Sequence, residues 1–235
     1  MEETDMAKIL MVVTGSAVWT LADGTAHPSG YWAEEVSAPY LAFTGAGHEV
    51  VVATPGGVVP TMDPASLAPE LNGGQENADA IAADLERVTA LRQPVALEEV
   101  RLDEYAAVFY PGGHGPMEDL AVNAASGALL GAALASGRPL GIVCHGPAAL
   151  LATEAGGGSP FAGYRVTAFT NAEETQSGFA DRAPWLLQDR LVALGVDFQE
   201  GQPWAPYVVA DRNLYTGQNP ASAAPLAADI VKALG

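Results

Sequence analysis

Gly141-Ile142-Val143-Cys144-His145-Gly146-Pro147-Ala148-Ala149-Leu150-Leu151 passes from an apolar segment through a polar turn into a second apolar segment. The run from Pro139 to Val143 reads as a buried strand, and Pro147 to Ala152 as a helix. Cys144 then sits in a tight strand-to-helix turn, within the first turn of the helix. This is the logic of a nucleophile elbow, with a thiol where hydrolases place serine. Gly146 leaves room there for backbone or substrate. A helix N-terminus beside the sulfur favours thiolate and lowers the thiol pKa. The plain alternative is an inert core cysteine, since free cysteine is often buried; a strand end beside a histidine favours the reactive reading. His145 is either a base or a structural histidine, because adjacent side chains in a turn need not meet.

The same grammar repeats outward from the elbow. Ile9 to Val13 ends at Thr14-Gly15, Val50 to Thr54 at Pro55-Gly56-Gly57, and Tyr105 to Tyr110 at Pro111-Gly112-Gly113. Each is short, apolar on both faces and closed by turn residues, which is the pattern of a parallel strand covered on two sides. Helical stretches separate them: Trp32 to Thr44, Asn77 to Leu91 and Gly127 to Ser136. Strands alternating with helices predict an open α/β sheet. Further on, Tyr164 to Phe169 reads as a strand and Trp185 to Leu194 as a helix stopped by Gly195. Tyr207 to Val209 and Asn213 to Thr216 read as a hairpin through Asp211-Arg212. Asn219 opens a last helix through Leu234, with Pro220 first. Asp63 to Glu76 reads as a surface excursion, and Gly156-Gly157-Gly158-Ser159 as a flexible run too short to divide domains. One domain over residues 6–235 is expected.

Composition narrows the partners. The 235 residues hold 49% hydrophobic and 16% charged side chains, too apolar for disorder. Ten basic against 28 acidic residues give a net charge of −18, which repels phosphate backbones and anionic membranes. Neither nucleic acid nor membrane is an expected partner, and a homodimer is left open. One cysteine permits no intrachain disulfide and no cysteine-built zinc or iron–sulfur site. With no signal-like start and no apolar run of spanning length, the expected location is cytoplasmic.

Open α/β sheets bind ligands beyond the carboxyl ends of their strands. There, Pro111-Gly112-Gly113-His114-Gly115 offers backbone amides free of side-chain bulk. The turn suits an oxyanion site and equally a plain connection; with no P-loop lysine or dinucleotide fingerprint, nucleotide binding is rejected. Glu34-Glu35 follows the first strand, with Glu35 on the helix face of Trp32 and Pro39. By position alone Glu35 reads as a solvated surface residue, the usual fate of glutamate.

Cys144-His145-Gly146-Pro147, taken with Tyr110-Pro111-Gly112-Gly113-His114-Gly115, resembles the ThiJ/PfpI superfamily. The resemblance spans nearly the whole chain, through Gly30-Tyr31-Trp32-Ala33-Glu34-Glu35, Phe169-Thr170-Asn171-Ala172-Glu173-Glu174 and Thr216-Gly217-Gln218-Asn219-Pro220-Ala221-Ser222. It implies a class I glutamine amidotransferase-like fold, a flavodoxin-like three-layer sandwich with a mostly parallel central sheet. The most similar branch is the glutathione-independent glyoxalase, or glyoxalase III, whose members are also described as heat-shock chaperones and deglycases. The resemblance implies Cys144 as nucleophile, His145 as its histidine and Glu35 as the glutamate on the thiol. Glu174 would orient His145, with Glu173 as the other register; Gly113 and His114 match the oxyanion side.

The implied activity is conversion of methylglyoxal to lactate through a cysteine hemithioacetal, with no metal and no cofactor. A small reactive dicarbonyl is the implied substrate. Glu35, protonated beside the thiol, and His145 are the proton carriers; Trp32, Phe169 and Trp185 are available to wall the pocket. Glutaminases carry a late His-x-Glu pair that this chain lacks, since its histidines are His27, His48, His114 and His145. The rivals are a redox sensor or holdase chaperone, another cysteine-dependent hydrolase or hydratase, and a cysteine peptidase.

Overall fold

Ile9, Leu10, Met11 and Val12 are wholly buried because their strand, β1 (Lys8–Val12), has a sheet neighbour on each edge and helices over both faces. The computed structural model describes residues 6–154 and 158–235. Gly156 and Gly157 of the glycine run therefore lie outside the described residues.

Six more strands complete the central sheet: β2 (Glu49–Thr54), β3 (Val95–Ala96), β4 (Ala107–Tyr110), β5 (Leu140–Val143), β6 (Val208–Asp211) and β7 (Leu214–Gly217). Their order is β6-β7-β5-β4-β1-β2-β3. Only the β6–β7 hairpin is antiparallel; the other five pairs are parallel. The expected mostly parallel α/β sandwich is thus the observed one.

Helix α1 (Ala33–Gly45) packs against α2 (Gln75–Glu86) and the last helix, Ala223–Leu234, on one side of the sheet. Leu226, Ala227 and Ile230 of that last helix are fully buried. Each buried leucine or isoleucine contributes roughly 1.5–3 kcal/mol. On the other side, Ala124–Ser136 packs with Gly146–Thr153, which in turn meets Leu187–Leu194. Asn123 caps the first of these by accepting from the Ser126 N–H, and Gly137 ends it at φ +75°. No single helix among the described residues is long and apolar enough to cross a membrane.

Several local readings need correction. Of Tyr164 to Phe169, only Arg165–Val166 is strand, and it pairs with Asp197–Phe198 in a separate small sheet. The Thr167 N–H instead donates to the Thr216 hydroxyl and the Phe169 N–H to the Cys144 carbonyl, so the segment lies across the sheet's end. The stretch read as helix to Leu91 stops at Glu86 and resumes as a 3₁₀ turn, Thr89–Arg92. Pro147 to Ala152 belongs to a 3₁₀ helix, Gly146–Thr153. Asp63 to Glu76 is more than a surface excursion: Asp63 and Ser66 are buried, and Asp63 accepts from Ser29 and Ala65. Between β1 and α1 the chain also forms a hairpin, Val18–Thr20 with Ala26–Pro28, that no sequence signal announces.

The chain leaves β1 for β2 and β3, then returns to β4 on the opposite edge of β1. That reversal opens a crevice at the carboxyl ends of the strands, where Thr14-Gly15, Gly112-Gly113-His114 and Cys144-His145 converge.

Candidate active site

Cys144 follows β5 directly and holds a left-handed backbone, φ +59°. A non-glycine residue there costs on the order of 1–3 kcal/mol. Two hydrogen bonds keep it in place: its N–H donates to the Gly217 carbonyl at 2.9 Å, and its carbonyl accepts from the Phe169 N–H at 2.9 Å. The sulfur therefore stands out of the strand at its end. Cys144 precedes the helical turn by two residues rather than lying within it. Gly146 serves the backbone: a Cβ there would sit 2.8 Å from the Tyr110 carbonyl oxygen. It is absent from the pocket lining.

On one side of the sulfur lies an imidazole. His145 Nδ1 is 3.3 Å from Sγ, and Nε2 is 2.7 Å from Glu174 Oε2. With Nε2–H donating to the carboxylate, Nδ1 is left as an acceptor for the thiol proton. Burial, followed by the neighbouring His114, holds the His145 pKa below its usual value, so the ring is neutral near pH 7. Burial disfavours charge on Glu174 too, yet His145 and His114 overcome it and hold this carboxyl far below the usual range. His114 Nε2 reaches the other oxygen, Oε1, at 3.0 Å, and its ring stacks on Trp19 at 4.2 Å. His114 thus anchors Glu174 and lines the pocket.

Glu173, the other register, faces away from this group. The Thr170 hydroxyl caps the helix by accepting from the Glu173 N–H, Glu173 Oε2 accepts in return from the Thr170 N–H and hydroxyl, and Oε1 accepts from Trp204 N, Gln218 Nε2 and Asn219 Nδ2.

On the sulfur's other side is Glu35, fully buried at the start of α1. Its Oε2 accepts from the Gly112 N–H at 2.7 Å. Its Oε1 has no directed hydrogen bond among the described residues, and the side chain also meets the Cys144 thiol. Burial pushes the Glu35 pKa up to about 8, against the smaller opposing effects of the thiol and Gly112. Glu35 is therefore a neutral acid at pH 7.

Burial and then the Glu35 carboxyl also push the Cys144 thiol well above its ordinary value. This overturns the lowering expected from a helix N-terminus. The Gly113 N–H hydrogen-bonds the sulfur, but one donor does not offset desolvation and a neighbouring acid. At rest the sulfur is a thiol with an imidazole nitrogen beside it. Gly113 itself stands at φ +87°, and a Cβ there would come 2.3 Å from the Gly30 carbonyl oxygen.

The sulfur opens into a cavity of about 580 Å³. Trp32 and Phe169 line it as expected; Trp185 does not, and lies instead under the Arg190 guanidinium. Trp204, Phe179 and His27 complete the aromatic walls, and Asp63, Glu70 and Asn72 come from the segment read as a surface excursion. Glu34 also lines the cavity, although the sequence singled out only its neighbour.

His114, His145 and Glu174 bring potential ligand atoms within 4.8 Å of one another, close enough to hold a metal ion. Both Nε2 atoms already meet the carboxylate, so a metal there would take the atoms that orient His145. The β1 turn offers no anion cradle, because Asp119 fills it. That carboxylate accepts from Gly15 N at 2.7 Å, from Ser16 N at 3.1 Å and from the Thr14 hydroxyl at 2.8 Å.

The DJ-1/PfpI family profile matches residues 28–233. A Pseudomonas aeruginosa protein/nucleic acid deglycase HchA is 31% identical over 226 residues, covering 91% of this chain and 76% of that protein. Among solved structures, Rapid Encystment Protein 24 kDa of Francisella tularensis is similar with a TM-score of 0.84 and 30% identity, over 98% of this chain and 100% of that one. Glyoxalase III of Candida albicans is similar with a TM-score of 0.82 and 25% identity, over 97% of each chain.

Proposed function

The chain belongs to the DJ-1/PfpI family, and from that premise we propose that residues 6–235 act as one glutathione-independent glyoxalase domain. A 2-oxoaldehyde enters the pocket and leaves as the 2-hydroxy acid, lactate when the substrate is methylglyoxal. One observation carries this reading: the Cys144 thiol lies between a neutral acid, Glu35, and a neutral base, His145, that is backed by a charged Glu174.

Sγ adds to the aldehyde carbon as His145 Nδ1 takes the thiol proton. His145 hands that proton to the new oxygen, next to the Gly113 N–H, and a hemithioacetal results. A base, His145 again, removes the hydrogen from the former aldehyde carbon while Glu35 protonates the ketone oxygen, giving an enediol. A proton then reaches the second carbon as the first carbon's hydroxyl loses its own, leaving a thioester. The first carbon is oxidised and the second reduced, so the balance closes within the substrate. Water cleaves the thioester, releases the acid and restores the thiol.

A second reading is a deglycase, which has the name of the Pseudomonas relative behind it. The same sulfur would attack a glycated amine's carbonyl-derived carbon. A net charge of −18 argues against nucleic acid as that substrate.

Incubation with methylglyoxal in the absence of glutathione tests the reading, by following dicarbonyl loss and lactate release. Wild type should form lactate, and Cys144→Ala should fall to the uncatalysed background. Repair of a pre-formed methylglyoxal-glycated peptide with release of lactate, and no lactate from free methylglyoxal, would favour the deglycase. Selective oxidation of Cys144 with neither activity would favour a redox sensor.

A further inference from the structure

Building on the glyoxalase reading, we infer that the preferred substrate is a 2-oxoaldehyde of sugar length, with five or six carbons and a hydroxylated tail, rather than a three-carbon one. The cavity of about 580 Å³ lies in the range that encloses drug-sized ligands, roughly 300–1,000 Å³. A three-carbon dicarbonyl held on Cys144 fills only its floor.

The unfilled part carries polar groups that the fold does not use. Glu34 lines the cavity with no hydrogen bond or ion pair among the described residues. Gln176, which lines the same cavity, spends Oε1 on the Trp204 indole N–H at 2.6 Å, and its amide N–H₂ has no hydrogen bond among the described residues. Asn72 spends its amide hydrogens on the Ser66 and Ala68 carbonyls, leaving Oδ1. His27 lines the wall, and neither of its ring nitrogens is hydrogen-bonded among the described residues. Trp32 and Trp204 add flat apolar faces, which suit the C–H faces of a sugar chain.

This set chooses among tails. Among the described residues no lysine or arginine lines the cavity, so a phosphate or carboxylate tail would meet carboxylates and no cationic side chain of either kind. An ammonium or guanidinium tail offers donors only; it would satisfy Glu34 and leave the Gln176 N–H₂ facing another donor. A hydroxyl both donates and accepts. A chain of hydroxyls is the tail that satisfies Glu34, Asn72 Oδ1 and the Gln176 N–H₂ together.

The test compares kcat/KM of the full-length protein for 3-deoxyglucosone and for methylglyoxal. One net hydrogen bond is worth roughly tenfold, so the longer substrate should be favoured by at least tenfold. The Glu34→Ala/Gln176→Ala double variant should bring the ratio of the two constants toward one. Calorimetric titration of Cys144→Ala with each dicarbonyl is a second arm, in which 3-deoxyglucosone should bind more tightly. That arm decides the matter if the double variant does not fold. A wild-type ratio of one or less, with lactate still formed from methylglyoxal, overturns this inference and leaves the glyoxalase reading standing. Preference for a methylglyoxal–arginine adduct over both dicarbonyls also overturns it. No turnover of either dicarbonyl overturns the inference and the glyoxalase reading together.

Discussion

The two sides of Cys144 hold carboxyls of similar burial in opposite charge states. Glu35 and Glu174 are 0% and 3% exposed, so desolvation opposes charge on both. Glu35 finds one backbone N–H and a thiol, and it stays protonated up to about pH 8. Glu174 finds two imidazole nitrogens and the Ser177 hydroxyl, and it stays ionised far into acid. Burial sets a common penalty, and the number of donors decides which acid overcomes it. The sulfur thus faces a proton donor on one side and, through His145, a proton acceptor on the other.

The sharpest way to break this comparison is to remove one side at a time. Glu174→Gln takes away the charge that supports His145 as it gains a proton. Turnover should fall on the order of a hundredfold to ten-thousandfold, and iodoacetamide should alkylate Cys144 more slowly at pH 7. Glu35→Gln keeps shape and neutrality but removes the transferable proton. Turnover should fall by about a hundredfold, while alkylation at pH 7 should be no slower than in wild type, because the carboxyl that pushes the thiol up is gone. Equal slowing of alkylation in both variants would mean that the two sides do not divide the work. Glu34, adjacent in sequence, is not a silent control, because it lines the cavity.

These assignments were only partly open to a reading of the sequence. The elbow was legible because an apolar strand, a cysteine and a glycine-proline turn leave few other geometries. The β4 turn was legible for its glycines, and Gly113 does take a conformation that a side chain would resist. The thiol's ionisation was not legible. It depends on burial by segments distant in the chain and on a carboxyl more than a hundred positions away. The pocket walls were hidden for a related reason. Asp63 to Glu76 has no apolar periodicity, and it is anchored by polar contacts, Asp63 with Ser29 and Ser66 with the Asp63 carbonyl. Trp19 carries no motif in the sequence, and a hairpin places it flat against His114. Tyr164 to Phe169 had strand character, but hydrogen bonds across the sheet's end took it elsewhere.

A smaller effect separates the neighbours Glu173 and Glu174. Glu173 touches neither Cys144 nor His145; it gathers donors from Thr170, Trp204, Gln218 and Asn219. In Glu173→Gln, an amide N–H₂ must face some of those donors inside the protein. The expected cost is about 1–3 kcal/mol of stability, read as a lower urea midpoint. Turnover should fall less than in Glu174→Gln. A larger catalytic loss in Glu173→Gln, with an unchanged urea midpoint, would assign the catalytic register to Glu173.

The last test is the most direct one of the opposite charge states, because it reads protons rather than rates. Between about pH 4.5 and 8, folded Glu35 keeps a proton that the unfolded chain has released. Unfolding in that window sheds a proton, so stability from this side chain falls as pH rises, by at most about 1.4 kcal/mol per pH unit. Glu174 tilts the other way: its folded pKa is depressed, so its contribution is present above the usual carboxyl value and is lost as pH falls below it. His145 also loses stability on acidification, since the unfolded chain takes up protons below about 6.5 while the buried ring resists them. Cys144, pushed well above its ordinary value, stays protonated throughout. Urea midpoints of wild type and Glu35→Gln at pH 5 and pH 8 isolate the first effect, because Glu174 and His145 tilt both proteins alike. Wild type should lose stability relative to the variant between those pH values. Parallel curves would mean that Glu35 is already ionised at pH 5, and the sulfur would then have no neutral acid beside it.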